Sequence, residues 1–138
     1  MEYLTIIETL KKVYDKLLTD VAKKYDLTLV GLKILMYLPN SECDFAKNVV
    51  CGIQATKSHV SMATADLEEK GYLEKVQDEK DKKQSHLQIT PKALNIIQEG
   101  YKVNNQIKDI LIEGLTKEEL NELKQITKKM YKNIQEHI

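Results

Sequence analysis

The stretch of sequence that decides the fold runs from residue 55 to residue 90 and reads ATKSHVSMATADLEEKGYLEKVQDEKDKKQSHLQIT. Residues 55–61 are mostly small and polar, as at the start of a helix, and Gly71 can supply the left-handed stop at its end. Residues 78–83 are all charged, and residues 86–89 then alternate between polar and apolar side chains. This order of elements predicts a helix-turn-helix followed by a β-hairpin wing, an arrangement typical of modules that read DNA.

Three helices are predicted ahead of this stretch. Apolar residues recur at three- and four-residue steps between Leu4 and Tyr25, which predicts one long amphipathic helix over about residues 2–25. Thr28 is the expected cap of a second helix that ends near Leu38, just before a proline.

A third, short helix is predicted to begin at Asp44 as its N-cap and to end near Gly52. The fourth helix should start at Ala55 or Thr56 and end near Lys70. Its inner face, with Val60 and Leu67, is expected to pack against the third helix through the side chains Val49, Val50 and Ile53.

The remaining chain predicts a hairpin and two more helices. Residues 72–77 and 85–89 are the two expected strands. Thr90 and Pro91 read as the N-cap and first residue of a helix that should end near residue 113. The capping-box sequence at residues 116–119 begins the last helix.

The first and last helices are long, and neither is needed to complete a DNA-reading unit of this kind. We therefore expect a mainly α, single-domain chain over residues 1–138, with a winged helix-turn-helix core at about 28–90. The helices at about 2–25 and 91–138 have apolar faces that need a partner. A second copy of the chain would cover both faces in a two-fold homodimer, whereas the alternative is a monomer with both helices packed on its core.

Composition restricts the class of protein. Of 138 residues, 42% are hydrophobic and 30% are charged, which is typical of a globular chain and argues against disorder. The apolar runs are too short to span a membrane, and residues 1–25 carry too many charges for a signal peptide, so we expect a cytoplasmic protein. The sequence has no glycine-rich phosphate loop or catalytic cluster, so no enzyme and no cofactor is predicted.

Charge alone does not identify a nucleic-acid binder here, because the formal net charge is zero. The charge is nevertheless uneven, since Lys75, Lys80, Lys82 and Lys83 crowd the predicted wing. Every one of the 21 basic residues is lysine, which lacks the planar fork that arginine uses on guanine.

The candidate DNA-binding residues lie at the start of the fourth helix and on the wing. Small hydroxyl side chains let a helix approach the floor of the major groove, and lysine and histidine reach base edges or phosphates. Two simpler explanations stay open, because the threonine and serine side chains also cap helices and a charged loop is often only solvated. The candidates are Thr56, Lys57, Ser58, His59, Ser61, Met62, Lys80, Lys82 and Lys83.

The acidic wing residues Asp78 and Asp81 would oppose DNA if they were unpaired. We expect them to shape the wing instead, by pairing with its lysines or by accepting hydrogen bonds from loop amides. The two cysteines, Cys43 and Cys51, have no metal-ligand spacing with each other or with histidine, so no metal site is predicted. Cys51 is expected to be a small buried side chain on the third helix, with a thiol sensor as the alternative.

Taken together, these motifs resemble the MarR family of bacterial winged-helix regulators, over nearly the whole chain. The resemblance rests on residues 27–28, 57–61, 67–73, 78–83 and 87–90. It implies a homodimer held by its terminal helices that binds double-stranded DNA at a pseudo-palindromic operator and represses transcription. It also implies release by a small-molecule effector, in a cleft near the second helix and the start of the fifth.

The chain departs from the family where arginine is usual. The family's wing usually carries arginine where this chain has Lys80, Lys82 and Lys83, and an arginine is common where Met62 stands. Lysine still neutralises phosphate, and Met62 can contact a thymine methyl group instead. Two other functions stay open: a winged-helix protein-interaction module without DNA binding, and a thiol or ligand sensor.

Overall fold

The computed structural model describes residues 2–41 and 44–138. The described residues form helices joined by short connections and one antiparallel hairpin, as the sequence predicts. The elements are α1 (Tyr3–Lys24), α2 (Leu29–Tyr37), α3 (Ala46–Gly52), α4 (Lys57–Glu69), β1 (Leu73–Gln77), β2 (Ser85–Ile89), α5 (Leu94–Ile112) and α6 (Lys117–His137).

The chain divides into two units, one up to Asn104 and one from Asn105 onward. The second unit holds the end of α5 and all of α6. Its turn uses Gly114 at a φ of +80°, a conformation that glycine adopts without strain. Thr116 and Glu119 form the predicted capping box, with the hydroxyl accepting from Glu119 N at 3.1 Å. The stop of α5 and the start of α6 are therefore fixed by residues close together in sequence.

The core of the first unit is built around α2. Leu32, Ile34 and Leu35 on this helix have no exposed surface, and α1 adds Leu18 and Ala22. Helices α1 and α4 both pack on α2, because α2 is apolar on nearly all sides. Burial of α2 thus sets the frame on which α4 and the wing are placed.

One predicted cap is confirmed and one is wrong. Thr28 caps α2 by accepting a hydrogen bond from Gly31 N at 3.0 Å. Asp44 does not cap α3, whose N-cap position is Phe45. The reason is that Asp44 pairs with the hairpin: its carbonyl oxygen accepts from Leu87 N at 2.9 Å and its carboxylate contacts His86.

Thr90 also differs from expectation. Its side chain makes no capping bond, and its hydroxyl instead donates to the carbonyl of Gly71 at 2.6 Å. Residues Pro91–Ala93 form a single 3₁₀ turn before α5 begins at Leu94. Thr90 thus stands at the predicted N-cap position with Pro91 after it, but its side chain ties the end of the hairpin to the end of α4 instead of capping the turn.

The hairpin is anchored by two buried leucines. β1 and β2 pair from Leu73 opposite Ile89 to Gln77 opposite Ser85. Leu73 and Leu87 are almost completely buried, whereas the far end of β1 is exposed. The base of the wing is therefore part of the core, and residues 78–84 project from it as a loop.

Candidate nucleic-acid interface

Helix α4 begins where the sequence predicts. Thr56 is the N-cap, and its hydroxyl oxygen accepts a hydrogen bond from His59 N at 3.1 Å. One of the two proposed roles of Thr56, capping, is thus observed directly. The cap fixes the first turn, which carries Lys57, Ser58 and His59, at the exposed end of the helix.

The exposed side of α4 holds the remaining candidates. Ser61 and Met62 lie one turn after Lys57 and Ser58, and all of these side chains are exposed, Met62 to 70%. Ala65 continues the same stripe one turn further on and is also exposed. Sequence reasoning did not include Ala65, although its helical spacing from Ser61 could have identified it.

The buried side of α4 packs differently from the prediction. Val60, Thr64 and Leu67 are buried, but the helix packs on α2 as well as on α3. Leu67 reaches α2, since a Cβ built on Gly31 would lie 3.8 Å from Leu67 Cδ2. The buried Thr64 hydroxyl is satisfied by donating to Val60 O at 2.6 Å. Leu67 is therefore not held by α3 alone.

The acidic residues of the wing loop shape its backbone. Asp78 Oδ2 accepts from Asp81 N at 2.9 Å, and Asp81 Oδ1 accepts from Lys83 N at 3.1 Å. Gln77 adds a bond from Nε2 to Lys82 O at 2.8 Å. Of the two expected roles, the structure has the carboxylates accepting from loop amides, not pairing with wing lysines.

The wing lysines are consequently not paired with these acidic residues. Lys80, Lys82 and Lys83 are exposed and form no ion pair with any residue of the described chain. Hydrogen bonds hold the backbones of Lys82 and Lys83, so the three lysines follow one another within one short loop. This arrangement concentrates positive charge locally, although the net charge of the whole chain is zero.

A concave surface joins α4 to the wing. A cavity of about 460 Å³ lies between α3, α4 and the hairpin, with Phe45, Val50 and Val60 among its apolar lining. No acidic side chain from the described ranges lines it. Four lysines do, each from a different segment: Lys47 on α3, Lys57 on α4, Lys75 on β1 and Lys83 in the wing loop.

This cavity brings some of the predicted residues together and not others. Lys57 and Ser61 from α4 meet Lys83 from the wing, whereas Lys80 and Lys82 lie further along the loop. Lys47 and Lys75 were not predicted as site residues. Their position could not be read from the sequence, because it depends on how α3 and β1 are packed around α4.

A second cavity, of about 540 Å³, lies on the other flank of α4 and includes His59 and Met62. Here the acidic Asp66 is paired with Lys70, whose Nζ lies 3.0 Å from Asp66 Oδ2. The hydrogen bond from Lys70 to Asp66 raises the pKa of that lysine. Lys70 also donates to the carbonyl of Asp26, which ties the end of α4 to the α1–α2 turn.

His86 stands at the base of the wing between two carboxylates. Nδ1 lies 2.5 Å from Asp44 Oδ1, and Nε2 lies 2.8 Å from Asp78 Oδ1. These hydrogen bonds, first to Asp44 and then to Asp78, raise the pKa of His86 above its ordinary value. In return, the bond from His86 holds the pKa of Asp78 below its usual range. Sequence reasoning found no partner for His86.

Cys51 is another correction. Its thiol is free and exposed on α3, not buried as expected, because the helix turns Val49 inward instead. Cys43 lies outside the described residues. Within the described ranges there is no cluster of three His, Cys, Asp or Glu side chains suited to hold a metal ion, and no helix is long and apolar enough to cross a membrane.

Comparison with known proteins supports the sequence resemblance. The family described as winged helix DNA-binding domain matches residues 53–93, which span α4 and the hairpin. A search of curated proteins finds no match.

Several solved structures share the fold. A MarR protein from Peptoclostridium difficile is 22% identical with a TM-score of 0.82, over 97% of this chain and 88% of that one. A SlyA-like transcription regulator from Listeria monocytogenes is also 22% identical, with a TM-score of 0.83 over 97% and 89%. The S. aureus MepR–DNA complex is 18% identical, with a TM-score of 0.76 over 96% and 98%.

The matches cover almost the full length of both partners, including the terminal helices as well as the winged core. The chain is thus similar to these proteins as a whole and not only in its helix-turn-helix. The resemblance seen in the sequence is confirmed at the level of fold, and the chain has the winged-helix fold of the MarR-family transcriptional regulators.

Proposed function

We propose that this chain is a transcription regulator that binds double-stranded DNA as a homodimer and represses from a pseudo-palindromic operator. The exposed stripe of α4 would enter the major groove, with half-sites about 34 Å apart on the duplex. The wing lysines would contact phosphates on the flank of each half-site.

The observation that carries this proposal is the distribution of unpaired charge. Lys80, Lys82 and Lys83 form no ion pair within the described chain, and the acidic neighbours Asp78 and Asp81 are engaged by loop amides. The same side of the protein presents further lysines around a cavity without acidic lining in its described residues. Such a surface attracts a polyanion despite a net charge of zero.

The base-reading part of the proposal rests on α4. The six candidates at its start, Thr56 to Met62 without the buried Val60, are all exposed. Ser58 and Ser61 are short enough for the backbone to approach the groove floor, and Met62 offers an apolar contact to a thymine methyl group. The MepR complex, whose fold this chain shares, was solved with DNA, which supports the assignment.

The homodimer is supported by uncovered apolar side chains on helices of both units. On α1, Leu4 and Ile7 are 67% and 54% exposed. On α6 no residue is buried, although Ile126, Met130 and Ile134 form an apolar stripe at helical spacing. Exposed apolar patches of this kind mark interaction surfaces, and two identical copies can cover them reciprocally.

Regulation by a small molecule is proposed on the family resemblance. An effector can change DNA affinity only by binding one spacing of the two DNA-reading lobes better than another. Close to the place that the resemblance implies, Met36 packs directly on Gly100, with Sδ 2.5 Å from an ideal Cβ there. A ligand entering between α2 and α5 would have to displace that side chain. A regulator of this type acts in the cytoplasm, where its DNA is.

The test is fluorescence anisotropy of the purified chain with a random-sequence duplex of about 40 base pairs, long enough for two half-sites one turn apart. We expect affinity to fall steeply with salt and two chains to be present per bound unit. Absence of binding at low salt would contradict the proposal and favour a protein-interaction module, which the zero net charge also suits.

A thiol sensor is the second candidate, favoured by the exposure of Cys51. It predicts that peroxide lowers DNA affinity in the wild type and leaves a Cys51→Ser variant unchanged. Equal sensitivity of the two proteins would exclude Cys51 as the sensing group.

A further inference from the structure

The feature that the proposed function leaves unused is the contact of one imidazole with two carboxylates. Nδ1 and Nε2 of His86 each face a carboxylate oxygen, of Asp44 and Asp78 respectively, at 2.5 and 2.8 Å. A carboxylate can only accept hydrogen bonds, and a neutral imidazole has a single N–H to donate. Both contacts are therefore satisfied together only when the ring is doubly protonated.

The two carboxylates belong to different parts of the fold. Asp44 directly precedes the N-cap of α3, whereas Asp78 is the first residue of the wing loop. Asp78 uses its other oxygen to accept from Asp81 N, so the same side chain sets the backbone that carries the lysines. His86 thus links the entry of α3 to the wing loop through Asp78.

Additional contacts hold the His86 ring in this position. Phe45 forms an isolated β-bridge with His86, and the two ring centroids lie 4.5 Å apart. Leu87 N donates to Asp44 O at 2.9 Å. Residues 44–45 therefore pair with β2 as a third, very short strand, and His86 and its two carboxylates lie at this pairing.

The charged groups around His86 have one sign at close range. Asp44 faces it from the segment before α3 and Asp78 from the wing loop, while the cross-strand neighbour on β1 is the uncharged Val76. Lys47 on α3 lies behind Phe45, with Nζ 5.8 Å from that ring centroid. Within the described ranges, the groups in contact with the imidazole thus favour its cationic form.

We propose that His86 is a positioning residue whose doubly protonated ring holds the wing loop and its lysines against the segment before α3, so that DNA affinity falls when the ring loses a proton. The inference rests on the proposed function for its DNA readout. The proposed pH effect acts through the wing of this chain and does not require a bound small molecule.

The direction of the pH effect follows from the pKa of His86, which Asp44 and Asp78 raise above its ordinary value of about 6.5. A raised folded-state pKa means that the cluster is fully formed below about pH 6.5 and is lost as pH rises through the folded-state pKa. Wing order and DNA affinity should decrease together over that interval.

The first measurement is an NMR titration of the imidazole and the wing amides of the full-length chain without DNA. We expect His86 to titrate above the ordinary imidazole value of about 6.5, and the amides of Asp81 and Lys83 to shift with it. His137→Gln is the control variant and should leave the wing titration unchanged. A His86 that titrates at or below that ordinary value would overturn the proposal.

The second measurement is anisotropy with a duplex across the same pH interval at constant salt. We expect the wild type to lose about fivefold in affinity, at the low end of usual coupling between sites. His86→Gln should keep the lower affinity at every pH. Identical pH profiles for the two proteins would refute a positioning role.

Asp78→Asn is a second variant that tests the proposal even if the His86 variant fails to fold. The amide can still accept from Asp81 N, but it no longer attracts a proton to His86, so the pKa of His86 should fall and the loss of affinity should begin at lower pH. An unchanged pH profile in this variant would contradict the proposal. Absence of duplex binding at every pH would instead refute the proposed function, while the NMR titration would still decide whether His86 holds the wing.

Discussion

The ring of Tyr37 on α2 lies where the side chain of any residue other than glycine would begin at position 52 on α3. A Cβ built on Gly52 would be 2.2 Å from Tyr37 Cε2 and 2.4 Å from Cζ, closer than real contacts allow. The missing side chain therefore lets the end of α3 approach α2. The gap between these helices sets where α3 and its Lys47 stand beside α4.

This contact predicts that Gly52→Ala destabilises the protein, although alanine is usually favoured over glycine within a helix. Overpacking of a formed contact typically costs about 1–3 kcal/mol in the free energy of unfolding. Chemical denaturation monitored by circular dichroism measures this. Tyr37→Ala provides the control background: Gly52→Ala should cost less stability there than in the wild type, because the obstacle is removed. A Gly52→Ala variant more stable than the wild type would show that Tyr37 moves aside freely.

Removal of two wing lysines is expected to weaken DNA binding without changing sequence preference. Lys82→Ala with Lys83→Ala removes two unpaired cations, so the slope of log affinity against log salt should fall by about 1.8. The matched control is Lys128→Ala with Lys129→Ala, two exposed neighbours on α6. An unchanged salt slope in the wing variant would place the wing outside the interface.

Changes at the start of α4 should act on sequence preference instead. Ser58→Ala and His59→Ala remove hydrogen-bonding groups that face outward, and base discrimination at one position should drop by about 1–3 kcal/mol. Affinities for a selected operator and for single-base variants of it measure this. Glu69→Ala, exposed at the far end of the helix, is the control. Uniform loss over all sequences would argue against base reading by these side chains.

The apolar stripe of α6 predicts that acidic substitutions there abolish the dimer. Ile126 and Ile134 are each 53% exposed, so covering the exposed half of each side chain is expected to contribute about 1 kcal/mol. Ile126→Glu with Ile134→Glu should therefore give monomers at micromolar concentration in sedimentation experiments. Gln125→Glu with Asn133→Glu adds the same charge at the same spacing beside the stripe and should leave the dimer intact. Equal dissociation of both variants would exclude the stripe as the contact.

Helix starts and stops were the features that the sequence predicted best. Thr28, Thr56 and Thr116 cap the helices for which they were proposed, and Gly71 has the expected positive φ. Each of these signals acts between residues no more than a few positions apart. The local sequence therefore contains all the chemistry that the cap requires.

The predictions that failed depended on partners distant in the chain. Asp44 and Thr90 have good capping side chains, yet Asp44 contacts His86 and Thr90 donates to Gly71. Cys51 was expected to be buried because it follows two valines, but the helix orients Val49 inward. A polar side chain takes the partner that folding brings near it, and a sequence read alone shows only the neighbours along the chain.

The sequence by itself determined the order of elements, the length of the wing and the identity of the exposed residues at the start of α4. Periodicity, caps and turn residues are local, so they needed no knowledge of the packing. Only the tertiary structure decided that Lys47 and Lys75 share a cavity with Lys57 and Lys83, and that His86 lies between two carboxylates. Those groupings arise because burial of α2 and of the base of the hairpin fixes the positions of α3, α4 and the wing. The residues that meet are far apart in sequence, so no local sequence pattern predicts the contact.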